Sequence, residues 1–225
     1  MTSSIAERAK GTVLVTGASR GLGRALADLY AADGFRVIAC TRQGQGEPLD
    51  VADAASIAAL GERLKGVPVD IVVNNAAIRG DTGGLASLSP DDFLDVMRVN
   101  ALAPLLLARA LRENLLAGAR RVLANISSRA GSLAEGTLDD DDGDYAYRCS
   151  KAALNMATVK LAQDFRRDGI TVLSLHPGWV RTDMGGEEAA VDVTESAAGL
   201  KALIDRATLA DTGSFRSYDG RTIAW

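Results

Sequence analysis

The stretch TGASRGLG, residues 16–23, joins an apolar run to a segment with helical spacing. The apolar run, Thr12–Thr16, is predicted to be a strand, and Gly21–Ala32 is predicted to be a helix. Glycines at such a junction allow a tight turn and let the backbone approach a pyrophosphate, whose charge is stabilised by the helix N-terminus. The spacing Gly-x3-Gly-x-Gly differs from GxGxxG, and glycines also occur in ordinary turns. The position after the first strand nevertheless favours a dinucleotide site.

Further apolar runs alternate with helical patterns along the chain. The predicted strands are Thr12–Thr16, Arg36–Cys40, Val69–Val73, Arg121–Ile126 and Ile170–Leu175. The predicted helices are Gly21–Ala32, Ala54–Leu64, Pro90–Ala117 and Tyr147–Arg167. Strands that are nearly all apolar indicate a sheet covered on both faces, and repeated βαβ units indicate parallel strands. Since no repeat and no Pro/Ser-rich linker divides the chain, we predict a single α/β domain over residues 1–225, a doubly wound parallel sheet of the Rossmann type.

The composition argues against several other classes of protein. Of the 225 residues, 25 are Lys or Arg and 29 are Asp or Glu, so no overall positive charge favours nucleic acid or anionic lipid. The opening residues lack the apolar core of a signal peptide, and the longest apolar run, Ala101–Ala108, is too short to span a membrane. Cys40 and Cys149 form no CxxC motif, so we expect buried thiols and no metal site. We therefore expect a cytoplasmic protein.

The end of the second strand indicates which dinucleotide is bound. An enzyme that uses NAD usually carries a carboxylate there, which binds the ribose 2′-hydroxyl. This chain has Arg42 instead, and Arg20 lies in the glycine turn. Both arginines could bind a 2′-phosphate, although they could also be solvated surface residues. The pattern favours NADP(H) over NAD(H).

Three side chains are candidates for acid–base chemistry. Tyr147 and Lys151 are four positions apart in a predicted helix and therefore share one face. A nearby ammonium stabilises phenolate, so we expect Lys151 to lower the pKa of Tyr147 from its ordinary value of about 10. Ser127 and Ser128 directly follow the fourth predicted strand, at the edge where open α/β sheets bind ligands. The alternative for these serines is turn capping.

Together these motifs resemble the short-chain dehydrogenase/reductase family along essentially the whole chain. The matching elements are TGxxxGxG at Thr16–Gly23, the NNAG-like Asn74–Ala77, Asn100, Ser128, YxxxK at Tyr147 and Lys151, and Pro177–Gly178 with Thr182 beyond. Within the family, the sequence looks most like the C-factor and sniffer-type carbonyl reductases, because it contains YRxSKAA, HPGWVxTDM and a final YDGxxIxW.

The resemblance implies a role for each motif. Tyr147 would protonate a carbonyl oxygen as hydride arrives from the nicotinamide, Ser128 would orient that oxygen, Lys151 would hold the ribose, and Asn100 would anchor a water in a proton relay. The predicted catalytic residues are therefore Asn100, Ser128, Tyr147 and Lys151. The predicted cofactor-binding residues are Gly17, Ser19, Arg20, Gly21, Leu22, Gly23, Arg42, Asp50, Val51, Asn74, Ala76, Tyr147, Lys151, Pro177, Gly178, Val180 and Thr182.

The chain departs from the family pattern in three places. Ala77 replaces the usual glycine, which adds one methyl group. Ser128 and Tyr147 are 19 positions apart, which is long for the family, and the interval contains the acidic run Asp139–Asp142. We interpret that run as a solvated loop, not a cation site, whose charge disfavours anionic substrates. The segment Asp183–Val193 is short for a substrate lid and predicts an open pocket. His176 is expected to have a structural role.

Two helices have apolar residues on more than one face. They are Asp91–Ala117 and Tyr147–Arg167, and such helices need burial on two sides. One side would meet the sheet and the other a second subunit, so we expect a homodimer or homotetramer.

We therefore predict an NADP(H)-dependent oxidoreductase that reduces a small uncharged ketone or aldehyde, with no nucleic-acid or membrane partner. Two alternatives remain open. One is a dinucleotide-binding signalling protein of the C-factor type, and the other is an NAD-dependent alcohol dehydrogenase.

Overall fold

The computed structural model describes residues 9–136 and 143–225. The opening residues and the acidic run Asp139–Asp142 lie outside the described residues, so the interpretation of that run stays a prediction. So does the extent of the domain over residues 1–225.

The described strands form one parallel sheet in the order β3-β2-β1-β4-β5-β6-β7. The strands are β1 (Thr12–Thr16), β2 (Arg36–Thr41), β3 (Glu47–Pro48), β4 (Ile71–Asn74), β5 (Val122–Ile126), β6 (Thr171–His176) and β7 (Ser214–Ser217). The helices are α1 (Gly21–Ala32), α2 (Ala54–Arg63), α3 (Pro90–Met97), α4 (Ala103–Ala110), α5 (Arg112–Ala117), α6 (Tyr145–Asp164) and α7 (Val193–Arg206). The predicted doubly wound α/β fold is confirmed. The sheet reverses its order at β1 and β4, and the crevice at their carboxyl ends is where such folds bind ligands.

Alternate side chains of the central strands enter two separate apolar layers. Leu14, Val72 and Leu123 pack in the layer that contains residues of α2, α4 and α6. Val13 and Val73 pack in the opposite layer with α1 and α7. The period of two in side-chain direction explains why both faces of each strand are apolar.

The predicted helix Pro90–Ala117 is wrong as a single element, since it divides into α3, a wider turn at Arg98–Leu102, α4 and α5. Pro104 accounts for the wider turn. It has no N–H to give the carbonyl of Asn100, four residues earlier, the ordinary helical hydrogen bond. The N–H of Ala103 instead donates to the carbonyl of Arg98, five residues earlier.

Other differences from the sequence predictions are smaller. β3 and β7 were not predicted, because β3 has two residues and β7 reads SFRS, with only two of its four side chains buried. α7 was not predicted either, and the side chain of Asp192 caps it by accepting the N–H of Thr194 at 2.8 Å. Cys40 is buried as expected, but Cys149 is exposed, because it lies on the outward side of α6.

Among the described residues, none of the helices combines the length and the apolar character that crossing a membrane requires. Within the same residues, no group of three or more His, Cys, Asp or Glu side chains is placed to hold a metal ion.

The turn after β5 lies directly against the backbone of α6. A Cβ atom added at Gly131 would lie 2.4 Å from the carbonyl carbon of Lys151 and 2.6 Å from the nitrogen of Ala152. Real Cβ atoms do not approach backbone so closely, so any side chain at this position must push α6 away from the sheet edge.

We expect Gly131→Ala to lower the free energy of unfolding by about 3 kcal/mol, because the added methyl group overpacks a rigid contact. Gly66→Ala is the control. A Cβ atom at Gly66 would contact nothing. The left-handed backbone there, with φ +77°, is alone expected to lower the free energy of unfolding by about 1 kcal/mol. Urea unfolding measures both values, and equal losses would contradict the close contact with α6.

Candidate active site

The predicted site residues follow the carboxyl ends of four neighbouring strands. β1 runs into the glycine turn, β4 ends at Asn74, β5 leads to Ser128, and β6 leads to Pro177. Because these strands are parallel and adjacent, their ends meet at one edge of the sheet. The fold therefore places the predicted residues around a single cleft.

The glycine turn has a geometry that side chains would obstruct. Gly17 has φ +66°, and its Cβ would lie 3.0 Å from the Cα of Ala76. A Cβ on Gly23 would lie 2.4 Å from the carbonyl oxygen of Gly17. Arg20 starts α1 without a side-chain cap, so the first N–H groups of the helix can receive an anion. Ser19 and Gly21 are exposed beside it, and the turn fits a pyrophosphate.

The segment after β4 is tied to this turn. Thr16 Oγ1 accepts hydrogen bonds from the backbone N–H groups of Asn75 and Ala76, each at 3.0 Å. Asn74 Nδ2 donates to Asn125 Oδ1 at 2.8 Å, which links β4 to β5. The Oδ1 atom of Asn74 is buried without a partner among the described residues.

Lys151 is almost fully buried at the end of β5. Its Nζ donates to the carbonyl oxygen of Ile126 at 2.9 Å, and burial lowers its pKa to about 8. An ammonium has three N–H donors, and this is the one hydrogen bond that Lys151 makes to the described part of the chain. The remaining donors fit a ligand rich in hydroxyl groups, such as a ribose.

The Ser128 side chain lies close enough to the Tyr147 hydroxyl to favour its phenolate by hydrogen bonding. The structure thus brings these two residues together despite the long interval between them. Lys151 Nζ lies 5.5 Å from the centre of the Tyr147 ring. Burial raises the pKa of Tyr147, while the Ser128 hydrogen bond and the charge of Arg79 oppose that rise. The pKa of Tyr147 is therefore raised and not lowered as expected, because burial outweighs the groups that favour phenolate.

Asn100 lies in the wider turn between α3 and α4, and its side chain is fully engaged. Its Oδ1 accepts the N–H of Ile78 at 2.9 Å, and its Nδ2 donates to the carbonyl of Ile78 at 2.8 Å and to Ser150 Oγ at 3.0 Å. The side chain therefore fixes the loop after β4 against α6. A role in anchoring water stays a prediction.

The predicted residues for the adenosine half lie further along the edge. Arg42 is exposed directly after β2, and Asp50 and Val51 follow β3. Arg20 is engaged in an exposed ion pair with Asp183 at 2.7 Å.

The residues after β6 approach the glycine turn from the other side. A Cβ on Gly21 would lie 3.5 Å from Thr182 Cγ2. Val180 is buried and pairs with Val191, which fixes the segment that follows Pro177 and Gly178. Leu22, in the first turn of α1, packs against the apolar layer formed with α7.

His176 has a structural environment, as expected. Its Nδ1 accepts the N–H of Arg129 at 3.3 Å. Burial, together with the charges of Arg129 and Arg221, lowers its pKa to about 4, so the ring is neutral at pH 7.

Two residues of the site were not predicted from the sequence. Arg79 and Asp144 form an ion pair beside Tyr147, and both influence its pKa. They are 65 positions apart and belong to none of the motifs, so no local spacing could have identified them.

Comparisons with known proteins identify the family to which the chain belongs. The model of the short chain dehydrogenase family matches residues 11–193. The chain is 41% identical to C-signal of Myxococcus xanthus over 158 residues, which is 70% of this chain and 93% of that protein. Carbonyl reductase from chicken fatty liver, solved with NADPH, is 34% identical with a TM-score of 0.88, covering 97% of this chain and 100% of that chain. Carbonyl reductase Sniffer of D. melanogaster is 28% identical with a TM-score of 0.87 and the same coverage.

The family predicted from the motifs is thereby confirmed, as is the likeness to C-factor and to carbonyl reductases. The chain belongs to the short chain dehydrogenase family of oxidoreductases.

Proposed function

We propose that the protein uses NADPH to reduce a small uncharged ketone or aldehyde to the alcohol, in a cytoplasmic setting rich in NADPH. The observation that carries this proposal is the contact between Tyr147 and Ser128 beside the buried ammonium of Lys151, at the open edge of the sheet. A hydroxyl pair of this kind can hold a carbonyl oxygen and give it a proton.

Each residue has a distinct task in this proposal. When bound, NADPH supplies the hydride that reaches the carbonyl carbon. Tyr147 gives its hydroxyl proton to the carbonyl oxygen, and Ser128 donates a hydrogen bond to that oxygen and fixes its direction. Lys151 is charged at pH 7, because its pKa of about 8 lies above that value. Its ammonium binds ribose hydroxyls and stabilises the phenolate that Tyr147 becomes after it gives up its proton. Solvent then reprotonates Tyr147.

Arg42 and Arg20 support the preference for NADP(H). Both are exposed near the carboxyl ends of β1 and β2, and no acidic residue follows β2 directly. Arg20 must leave Asp183 to reach a phosphate, but that pair is exposed and therefore weak. The bound NADPH in the chicken carbonyl reductase structure supports the same preference.

An uncharged substrate fits the described surroundings of the site. Asp144, which acts on Tyr147, is paired with Arg79, so the two charges offset each other beside the site. Trp179 and Met184, 55% and 38% exposed, offer apolar surface in the short segment after β6. Apolar walls with few polar groups are typical of pockets for small organic molecules.

The second candidate function is signalling through dinucleotide binding, which the 41% identity to C-signal favours. Against this candidate, Ser128, Tyr147 and Lys151 are all present and lie together. A protein that only binds a dinucleotide does not need this arrangement. The NAD-dependent alcohol dehydrogenase is the third candidate. The first two predictions below separate these functions.

We expect Tyr147→Phe to lower kcat for NADPH-dependent carbonyl reduction by at least about 10³-fold, since the proton donor is lost. NADPH binding is expected to stay within about twofold of the wild-type value, because Lys151 and the glycine turn remain. Tyr145→Phe is the matched control, because Tyr145 is 41% exposed in the same helical turn. Absorbance of NADPH with a panel of ketones, aldehydes and quinones measures turnover. Full activity of Tyr147→Phe would exclude this mechanism, whereas a wild type that reduces no compound of the panel would favour the signalling function.

We expect Arg42→Ala to weaken NADPH binding by about 10- to 100-fold, because a charge-assisted hydrogen bond to the 2′-phosphate is lost. NADH binding should not change. Arg36→Ala is the control, since Arg36 is exposed at the opposite end of the same strand. Fluorescence titration of the wild type and both variants with NADPH and with NADH measures these dissociation constants. If the wild type binds NADH as tightly as NADPH, the preference for NADP(H) is wrong.

A second copy of the chain is proposed to cover an exposed apolar face of α3, α4 and α6. Leu94, Leu102 and Met156 on this face are 58%, 47% and 63% exposed. Leu94 and Leu102, with Met97, Leu105 and neighbouring residues, surround an open groove of about 460 Å³. The face belongs to the two predicted helices whose sequences indicated burial on both sides, and a two-fold dimer would bring the same face of each chain together.

We expect the wild type to sediment as a dimer or tetramer at micromolar concentration and Leu102→Glu to sediment as a monomer, because a charge cannot be buried unpaired in an apolar interface. Leu209→Glu is the control, since Leu209 is 37% exposed outside the groove. A monomeric wild type would refute the assembly.

A further inference from the structure

An ion pair joins the loop after β4 to the start of α6. Arg79 Nε donates to Asp144 Oδ1 at 3.0 Å, and Arg79 Nη2 donates to Asp144 Oδ2 at 2.5 Å. The carboxylate is only 8% exposed, whereas the arginine side chain is 41% exposed. A bidentate contact to a buried carboxylate is stronger and more directional than an exposed surface pair.

Asp144 adopts an unusual backbone conformation for this contact. It directly precedes α6 and has φ +59°, in the left-handed region that residues other than glycine seldom occupy. An aspartate in this position ordinarily caps the helix by accepting one of its N–H groups, which is worth about 1 kcal/mol. Here no side-chain cap forms, and the carboxylate is bonded to Arg79. The carboxylate of Asp144 therefore forms the ion pair and does not cap the helix.

Other contacts hold the same two segments together. A Cβ on Gly143 would lie 2.1 Å from the carbonyl oxygen of Thr82, so the two backbones touch. Ile78, next to Arg79, is held by Asn100, which also bonds Ser150. Contacts from the loop after β4 and from Asn100 therefore hold α6 at Asp144 and Ser150, which lie three residues before and three residues after Tyr147.

The ion pair also belongs to the electrostatic surroundings of Tyr147. The charged groups that face Tyr147 from the described elements are Arg79 on the loop after β4, Asp144 at the start of α6, and Lys151 one turn further along α6. Arg79 lowers the pKa of the phenol and Asp144 raises it, so their effects oppose each other.

We propose that Arg79 and Asp144 are positioning residues for Tyr147. Their ion pair fixes the first turn of α6 so that the Tyr147 hydroxyl meets Ser128, and each charge compensates the other next to the phenol. This inference rests on the proposed reduction, but its first test does not depend on turnover.

The first test compares the wild type, Arg79→Met, Asp144→Asn and the double variant. Asparagine tolerates the left-handed backbone, and methionine retains the long apolar stem. Tyrosine labelled with ¹³C at the ζ carbon reports ionisation by NMR, and the Tyr147 signal is assigned by its absence in Tyr147→Phe. The spectra are compared at the highest pH at which all variants keep the wild-type circular dichroism.

We expect the phenolate fraction of Tyr147 to be largest in Asp144→Asn, because the carboxylate that raises the pKa of the phenol is lost while Arg79, which lowers it, remains. It should be smallest in Arg79→Met, where the cation is lost. The double variant should return toward the wild type. If the Tyr147 signal is the same in Asp144→Asn as in the wild type, or if both single variants shift it in one direction, the inference is wrong.

The second test measures kcat and KM with NADPH. Arg79→Met should lose about 10-fold in kcat with little change in the KM for NADPH, because a small displacement of the acid slows the proton transfer. Arg79→Lys should keep the phenolate fraction near that of the wild type but recover only part of kcat, because lysine cannot form the bidentate contact.

Arg112→Met is the matched control. Arg112 makes a similar bidentate pair with Asp168, at 2.9 and 2.8 Å, beyond the opposite end of α6. Its loss should lower stability without changing kcat or the Tyr147 signal. If Arg79→Met behaves in the same way, its pair is only structural. A wild type without carbonyl turnover would overturn the proposed function, whereas the NMR comparison would still decide this inference.

Discussion

The bond between the buried ammonium of Lys151 and the last carbonyl of β5 fixes how α6 lies on the sheet. Removing an ammonium from water is unfavourable unless it is hydrogen-bonded, so Lys151 can occupy this position only with the Ile126 carbonyl beneath it. Gly131 allows the turn after β5 to reach the backbone of α6 at the same point. Tyr147 lies one helical turn before Lys151, and its position therefore follows from the same contact.

A buried polar network supports the serine side of the site. Asn155 of α6 accepts hydrogen bonds from Ser127 Oγ at 2.6 Å and Ser174 Oγ at 2.9 Å, and it donates to the carbonyl of Gly131 at 3.1 Å. Because each of these groups has a partner, the network stiffens the junction of β5, β6 and α6. Ser128 follows Ser127 directly and gains a fixed place from it. Proton transfer between hydroxyl groups depends on such fixed distances.

The parts of this structure that the sequence predicts are those that local patterns determine. The central strands are buried on both faces, so they are apolar throughout and easily recognised. β7 lies at the edge of the sheet, has a mixed composition and gives no such signal. The spacing of Tyr147 and Lys151 predicts a shared helix face, but the pKa of Tyr147 depends on burial and on Arg79, which only the tertiary structure supplies. Pro104 did carry a local signal for the wider turn at Asn100, through its missing N–H.

The long interval between Ser128 and Tyr147 shows how tertiary contacts compensate for an unusual length. Closing a longer loop costs only about 0.6 kcal/mol for each doubling of its length, provided that both ends are held. The first end is held by residues 224 and 225. Ser132 Oγ donates to the carbonyl oxygen of Ala224 at 2.7 Å, and the N–H of Ala134 donates to the carbonyl oxygen of Trp225 at 3.1 Å. The second end is held where Asp144 meets Arg79. Because both ends are fixed independently of what lies between them, the interval can vary in length while the two hydroxyl groups stay in contact.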